Sequence, residues 1–312
     1  MRAYTGGKTG GHIMPLISLI DDKEEALYVG YSDELEELMC KKNNIKFLGM
    51  KKYSSKFKIL KNYFELKKHL SNEKIDFVIS TGGRTSLPLC LYSIFHKIPL
   101  YLIEENCVRG LSNLLFYPFC KKMFLAFPIK NIRKKEIITG LPVRFDNRFF
   151  LKEYDILIIG GSLGSKPLCD IGVRLSKNYK VCLICGRYYD EYKNYSFDTI
   201  RFSDDIYSFI LKSKIVIARA GASTISEILY LNVAFICIPS KKTKRNHQVI
   251  NALYFDKLNA CKCIFEDDYD NILKYVSILL NDENKRIDMI NNQRAIFKHD
   301  SKLKILKEIN NG

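Results

Sequence analysis

Asp155-Ile156-Leu157-Ile158-Ile159-Gly160-Gly161-Ser162-Leu163-Gly164-Ser165-Lys166 reads as a buried strand, a glycine turn and the first residue of a helix. The same grammar stands about half a chain earlier, where Ala3–Thr5 runs into Gly6-Gly7-Lys8-Thr9-Gly10-Gly11-His12. Glycine at a strand–helix junction lets backbone N–H groups approach a phosphate, and the helix start adds the positive end of its dipole. A single such turn is often only a tight corner. Two of them, each opening its own alternating half, predict two Rossmann-like, doubly wound parallel α/β domains facing a cleft.

Working outward, the first half alternates in short units. Strands are expected at Ala3–Thr5, Ala26–Gly30, Ile45–Leu48, Phe77–Ser80, Leu100–Ile103 and Met123–Ala126, and helices at His12–Ile20, Asp33–Lys42, Phe57–Leu70, Leu87–Phe95 and Leu111–Phe119. Leu141-Pro142-Val143-Arg144-Phe145-Asp146-Asn147 reads as an interdomain passage, dividing the chain into residues 1–145 and 146–312. The second half restarts with strands at Asp155–Ile159, Val181–Cys185, Ile215–Ala218, Phe235–Ile238 and Cys261–Phe265. Helices follow at Lys166–Lys177, Asp204–Lys212, Ser223–Leu231, His247–Leu258 and Asn271–Leu280. The tail from Asn284 is polar and helical, and long enough to cross back over the first domain.

Bulk properties narrow the class. A chain of 312 residues with 47% hydrophobic content is long enough for two ordinary cores. Every apolar run is interrupted well short of a membrane span, and the turn beginning at Thr5-Gly6 leaves no room for a signal peptide ahead of it. Ten cysteines without a secretion signal point to reduced thiols. Cys182-Leu183-Ile184-Cys185 has redox spacing but lies within an apolar strand, so it is expected to be buried. Cys261 and Cys263 are read as strand residues in the same way. Five scattered histidines give no metal-cage spacing. The formal charge of +16 points to an acidic partner or surface, and it is concentrated: residues 41–75 hold eleven lysines against Glu65 and Glu73.

Arg219-Ala220-Gly221-Ala222-Ser223-Thr224-Ile225-Ser226-Glu227 carries the most chemistry. It follows a strand, turns on glycine and opens a helix with three hydroxyls and an acid. Helix-start N–H groups and hydroxyls suit a diphosphate, and a glutamate one turn in suits a ribose. The other reading is a capping box, with Ser223 as cap and Ser226 and Glu227 completing it; the two are compatible. Downstream, a basic loop runs into His247-Gln248-Val249-Ile250-Asn251-Ala252, a helix start able to reach sugar hydroxyls or to act as a solvated cap. Asp268-Tyr269-Asp270 sits at a helix start and reads as a cap rather than a metal site.

Together these stretches resemble the MurG-type glycosyltransferases. The resemblance runs through Gly6–His12 with Pro15, Ser80-Thr81-Gly82-Gly83 with Ser86 and Pro88, and Glu104-Glu105-Asn106 with Gly110-Leu111-Ser112-Asn113. It continues through Gly140–Arg144, Gly160–Gly164, Phe202–Ile206, Arg219–Glu227 and His247–Ala252. It implies a GT-B fold and an inverting, metal-independent, cofactor-free transfer of N-acetylglucosamine from UDP-N-acetylglucosamine to a lipid-linked muramyl-peptide in peptidoglycan synthesis. By position, the diphosphate is implied to meet Ser162 and the helix start of Ala222, Ser223, Thr224, Ile225 and Ser226, with Arg144 nearby. Uracil would meet the backbone at Ser203, ribose Glu227, and the sugar hydroxyls Gln248 and Asn106, while Thr9, Gly10 and Gly11 line the acceptor side. His12 is the candidate base, with Glu104 or Glu105 as rival and a helix-capping role as the alternative. Lys8, Leu87, Ile103 and Glu105 depart from the family pattern, all on the acceptor side. They keep open a related transferase acting on diacylglycerol or another lipid; a non-catalytic nucleotide-sugar scaffold ranks lower, because the candidate groups are retained.

The expected helix at Phe57–Leu70 carries two apolar stripes. Ile59, Tyr63, Leu66 and Leu70 suit packing on a sheet. Phe57, Leu60 and Phe64 are rotated from them by roughly 120° and flanked by Lys61, Lys67 and Lys68. A basic amphipathic surface of this kind fits an anionic bilayer, at about 1 kcal/mol per lysine near the surface. With the lipid-linked acceptor that the resemblance implies, a peripheral site on the cytoplasmic face of the cell membrane is expected; the alternative is that a neighbouring helix buries both stripes and the lysines are merely solvated. Nucleic acid is not expected, since no stacking platform or base-reading motif accompanies the charge.

Overall fold

The computed structural model describes residues 1–7, 9–32, 34–52, 59–144, 146–161 and 163–311. The chain divides into two units, Met1–Arg144 with Lys298–Gly312, and Phe145–Phe297.

The first unit is built on seven strands: β1 (Arg2–Gly6), β2 (Ala26–Tyr31), β3 (Lys46–Met50), β4 (Phe77–Gly82), β5 (Leu100–Glu104), β6 (Lys122–Leu125) and β7 (Glu136–Ile138). They form one sheet in the order β3-β2-β1-β4-β5-β6-β7, and every pairing is parallel. Helices α1 (Gly10–Leu19), α2 (Leu35–Lys42), α3 (Ile59–His69), α4 (Leu87–Phe95) and α5 (Leu111–Phe116) connect them. The strands are apolar on both faces, as a sheet covered on both sides requires; β2 is buried at all six positions.

The second unit repeats the plan with β8 (Tyr154–Ile159), β9 (Val181–Ile184), β10 (Asp198–Ile200), β11 (Ser213–Ala218), β12 (Ala234–Cys237) and β13 (Lys262–Cys263). Their order is β10-β9-β8-β11-β12-β13, again all parallel. Its helices are α6 (Lys166–Leu175), α7 (Tyr189–Tyr192), α8 (Ile206–Leu211), α9 (Ala222–Leu231), α10 (His247–Lys257), α11 (Tyr269–Asn281) and α12 (Glu283–Ile296). The last helix, α13 (Ser301–Asn310), clusters with the first unit. There Ser301 Oγ donates to the Leu141 carbonyl at 3.1 Å, and Tyr101 donates to the Ile309 carbonyl at 3.4 Å.

Several sequence expectations need correction. β7 and β10 were not anticipated; at three residues each they are too short to show a period. The strand expected at Cys261–Phe265 shrinks to Lys262–Cys263, leaving Cys261 buried ahead of it. The helix expected to run to Phe119 ends at Phe116 and tightens into a 3-10 turn over Tyr117–Phe119, where Pro118 removes a helical donor. Phe57 and Asp33, expected at helix starts, lie outside the described residues. Cys182 and Cys185 are buried as anticipated, and burial pushes the Cys182 thiol up to about 12. Asp268 caps α11, accepting from the Asn271 backbone at 3.4 Å.

Candidate active site

In a doubly wound sheet, ligands settle beyond the carboxyl ends of the strands where the order reverses. In the first unit that point lies between β1 and β4, in the second between β8 and β11. Both predicted glycine turns, and the two turns opposite them, therefore fall at switch points.

In the first unit, β1 runs into the turn at Gly6, where an added side chain would begin 1.9 Å from Thr81 Oγ1, and one at Gly7 1.9 Å from Glu36 Oε1. Thr81 Oγ1 in turn donates to the His12 carbonyl at 2.8 Å, locking the turn after β4 to α1. Thr9 occupies the N-cap position of α1 with extended backbone but makes no side-chain capping bond. His12 lies one residue further into α1 than Gly11, so it is not the cap. Its side chain keeps 30% of its surface, and its Nδ1 lies 3.0 Å from Glu105 Oε2. Burial alone would depress the imidazolium; Glu105, and at longer range Glu104 and Glu36, outweigh it and raise His12 above its ordinary pKa.

The two rival carboxylates separate cleanly. Glu104 closes β5 and accepts from the Gly110 backbone at 2.7 Å, Asn113 Nδ2 at 2.9 Å and the Asn106 backbone at 3.3 Å. It organises the loop that carries Asn106, and burial, against those donors, raises its carboxyl above the ordinary range. Glu105, also buried, turns to His12. Asn113 holds this arrangement by donating to the Ile103 carbonyl as well, at 3.0 Å. Sequence reading gave Glu36 no role, yet it is fully buried against the first glycine turn; its only sequence signal was an acid near the start of a helix. Arg144 is exposed at the end of this unit.

In the second unit, Gly164 has φ +76, and a side chain there would begin 2.1 Å from the Cys185 carbonyl oxygen, so only glycine closes this turn. Ser162 lies outside the described residues. Ser165 takes the N-cap position of α6. Its hydroxyl accepts from Arg219 Nε at 3.1 Å and Nη2 at 2.7 Å. Arg219 also reaches the Ile238 carbonyl at 3.1 Å and Glu266 at 2.7 Å, tying the ends of β8, β11 and β12 together. Nothing in the sequence signals this bracing role for Arg219, because its partners lie 19 to 54 residues away in the chain.

The capping-box reading of α9 is overturned. Gly221 is the N-cap, with no side-chain cap bond, and Ser223 already lies inside the first turn. The helix periodicity then sorts the candidates. Ser223, Thr224 and Glu227 lie on the accessible side, whereas Ala222, Ile225 and Ser226 are buried, so these three offer a ligand only their backbone. Ser226 Oγ has no hydrogen-bond partner among the described residues. Asn251 Nδ2 donates to the Ala220 carbonyl at 3.2 Å, fixing α10 against this helix start. Ahead of α10, Arg245 and Asn246 both adopt left-handed backbone, at φ 55 and 51, unusual for consecutive non-glycine residues. Gln248 Oε1 accepts from the Ser240 backbone at 2.9 Å, leaving its amide nitrogen as the donor face. Ser203 Oγ accepts from the Asp205 backbone at 3.0 Å; Asp205 caps α8, and the Arg148 guanidinium beside it lowers its carboxyl to about 2.

Leu66 on α3 and Leu70 just after it are buried as the first stripe requires, and Tyr63 packs against the core. The second stripe is not covered: Leu60 is 51% and Phe64 64% exposed, and Lys61, Lys67 and Lys68 are exposed around them. Phe57 lies outside the described residues. Among the described residues, no helix is long and apolar enough to cross a membrane.

Comparison with known proteins places the chain. Residues 3–125 match the glycosyltransferase family 28 N-terminal domain and residues 155–308 the glycosyltransferase family 28 C-terminal domain. A UDP-N-acetylglucosamine--N-acetylmuramyl-(pentapeptide) pyrophosphoryl-undecaprenol N-acetylglucosamine transferase from Clostridium tetani is 31% identical over 335 residues, covering 89% of this chain and 92% of that protein. A protein of the same name from a Sulfurihydrogenibium species is 29% identical, covering 96% and 95%. The crystal structure of Acinetobacter baumannii MurG superposes with a TM-score of 0.81 at 21% identity over the full length of both chains, a likeness of fold.

Proposed function

The chain belongs to glycosyltransferase family 28, and from that membership we propose that it transfers N-acetylglucosamine from UDP-N-acetylglucosamine to the muramyl sugar of an undecaprenyl-diphosphate-linked MurNAc-pentapeptide. The observation that carries this reading is the division of labour between the two switch points. One bears a half-buried histidine paired with a buried glutamate, the other a glycine turn and a hydroxyl-rich helix start.

In this reading the acceptor hydroxyl attacks the anomeric carbon from the face opposite the diphosphate, inverting the centre. His12 takes the hydroxyl proton. With Nδ1 turned to Glu105, Nε2 is the nitrogen left for that proton, and Glu105 stabilises the imidazolium that forms. The breaking bond leaves its electron pair on the diphosphate. The N–H groups opening α9, the Ser223 and Thr224 hydroxyls, the Gly160–Gly164 turn with Ser162, and Arg144 are assigned to that growing charge. Ser203 is assigned to the base, Glu227 to the ribose, and Gln248 and Asn106 to the transferred sugar. Thr9, Gly10 and Gly11, with an uncapped helix start, are assigned to the acceptor.

The exposed Leu60–Phe64 stripe with Lys61, Lys67 and Lys68 is assigned, together with Phe57, to the anionic membrane that carries the acceptor. The protein then works as a peripheral enzyme on the cytoplasmic face. The testing experiment is transfer of labelled N-acetylglucosamine by the purified protein to the lipid-linked acceptor, with His12→Ala alongside. Transfer by the native protein and its loss in the variant, with donor binding kept, supports the reading; a near-normal variant rate removes His12 as base.

A further inference from the structure

The loop between β10 and α8, residues 201–205, has neither helix nor strand. In the reading above, its Ser203 backbone meets the nucleotide base. A backbone peptide distinguishes bases only if it is held still, and an irregular loop has conformational entropy to lose in being held. The bonds within the loop fix its shape. Asp205 accepts from the Ser208 backbone at 3.4 Å, its own N–H donates to Ser203 Oγ at 3.0 Å, and Ser208 Oγ donates to its carbonyl at 2.9 Å. None of these three reaches beyond α8, so none fixes where the loop sits.

Arg148 does. It lies 57 residues before Asp205, in the segment 146–153 that leads into β8 without helix or strand. Its Nη1 donates to Asp205 Oδ2 at 2.7 Å and its Nη2 to Asp205 Oδ1 at 2.6 Å, a two-pronged grip on the carboxylate. On its other edge, Nε donates to both oxygens of Asp146, at 2.9 and 3.0 Å. Asp146 is itself anchored. Its side chain is 5% exposed, its N–H donates to the Tyr230 hydroxyl at 2.8 Å, and its carbonyl accepts from that hydroxyl at 3.1 Å. Tyr230 stands on α9 one turn beyond Glu227, with its ring 6.2 Å from that of Tyr207 on α8. One path of bonds thus runs from the helix assigned to diphosphate and ribose, through Tyr230, Asp146 and Arg148, to the loop assigned to the base. All of it lies inside the second unit.

Most surface ion pairs contribute little, because two long side chains must be ordered for one screened contact. Arg201–Asp190, at the start of the same loop, is of that kind, with 56% and 61% of the side-chain surfaces exposed. Arg148 differs because one planar fork serves two carboxylates at once. Its guanidinium also holds the Asp205 carboxyl down at about 2, so the grip stays ionised at neutral pH.

We propose that Arg148 is a positioning residue for the choice of nucleotide base: by clamping Asp205 to Asp146 it fixes the loop at Ser203, and so makes the donor site select uracil. The proposal rests on the donor reading above. Uracil offers a carbonyl oxygen beside an N–H, whereas cytosine offers an amino group beside a bare ring nitrogen. A fixed peptide complementary to the first is mispaired with the second at both atoms. A loop able to shift loses that discrimination first.

The test measures UDP and CDP binding to the full chain by calorimetry, with donor kinetics alongside. The native protein should bind UDP far more tightly than CDP. In Arg148→Gln and in Asp205→Asn, UDP affinity should fall roughly tenfold with CDP little changed, and the loss should appear in donor KM rather than in kcat. Asparagine caps a helix about as well as aspartate, so the second change removes the charge and keeps the α8 cap. The double variant should be no weaker than either single one, whereas additive losses would overturn the clamp. Arg148→Lys keeps the charge without the fork and should recover only part of the loss. Arg201→Gln should leave the preference for UDP as it is in the native protein. Equal weakening of UDP and CDP overturns the proposal and leaves Arg148 a structural role. A native preference retained in Arg148→Gln, or lost to the same degree in Arg201→Gln, overturns it as well. A native protein that binds UDP and CDP alike, or neither, removes the assignment of Ser203 to the base and the proposal with it.

Discussion

Glu104 and Glu105 are neighbours in sequence with opposite duties. Successive side chains at the end of a strand point to opposite sides, so one carboxylate folds into the loop it organises and the other reaches His12. Sequence could name both as candidates but could not assign sides, because which way each side chain points depends on where β5 stops. The pair sets a sign for pH dependence. His12 is raised above 6.5, so the stability from its protonated form is fully present below the unfolded value and is lost as pH rises through the higher folded one. As a base it must be neutral, so the acid limb of kcat/KM should lie above the ordinary histidine value. In Glu105→Gln that limb should move to lower pH, and the stability difference across the same window should shrink. A limb at the same pH in both proteins contradicts the pairing. His12→Ala should lower kcat by roughly a hundred- to ten-thousand-fold, read by rate and by donor-binding calorimetry together.

At the scale of elements, the glycine turns were the most legible features, whereas the start of the hydroxyl-rich helix was ambiguous. Gly164 is irreplaceable because its backbone is left-handed and its missing side chain makes room for the Cys185 carbonyl. Gly164→Ala should cost more than about 1 kcal/mol in denaturant unfolding and weaken UDP binding. In α9, the serines at 223 and 226 with Glu227 imitate a capping box, but the chain enters the helix at Gly221; a cap signature cannot be distinguished from hydroxyls inside the first turn until the start residue is known. Helix α3 was legible as two stripes, and which stripe faces the core followed from Leu66 and Leu70. Leu60→Ser with Phe64→Ser should reduce binding to anionic vesicles while UDP affinity is kept, and the remaining binding should fall with salt as the lysines are screened. Vesicle binding equal to that of the native protein contradicts the membrane assignment.

For the whole molecule, the half-chain duplication was visible because parallel strands buried on both faces leave unmistakable apolar runs. The short edge strands β7 and β10 left none. The two switch points share a plan and carry different groups: the first unit holds the histidine and buried carboxylates, the second the helix starts braced by Arg219. The proposed activity therefore requires both substrates at once. It is tested most directly by offering the purified protein UDP-N-acetylglucosamine with lipid-linked muramyl-pentapeptide and with diacylglycerol in parallel, and measuring sugar transferred to each. Transfer to the muramyl lipid alone is predicted; transfer to diacylglycerol alone would contradict it.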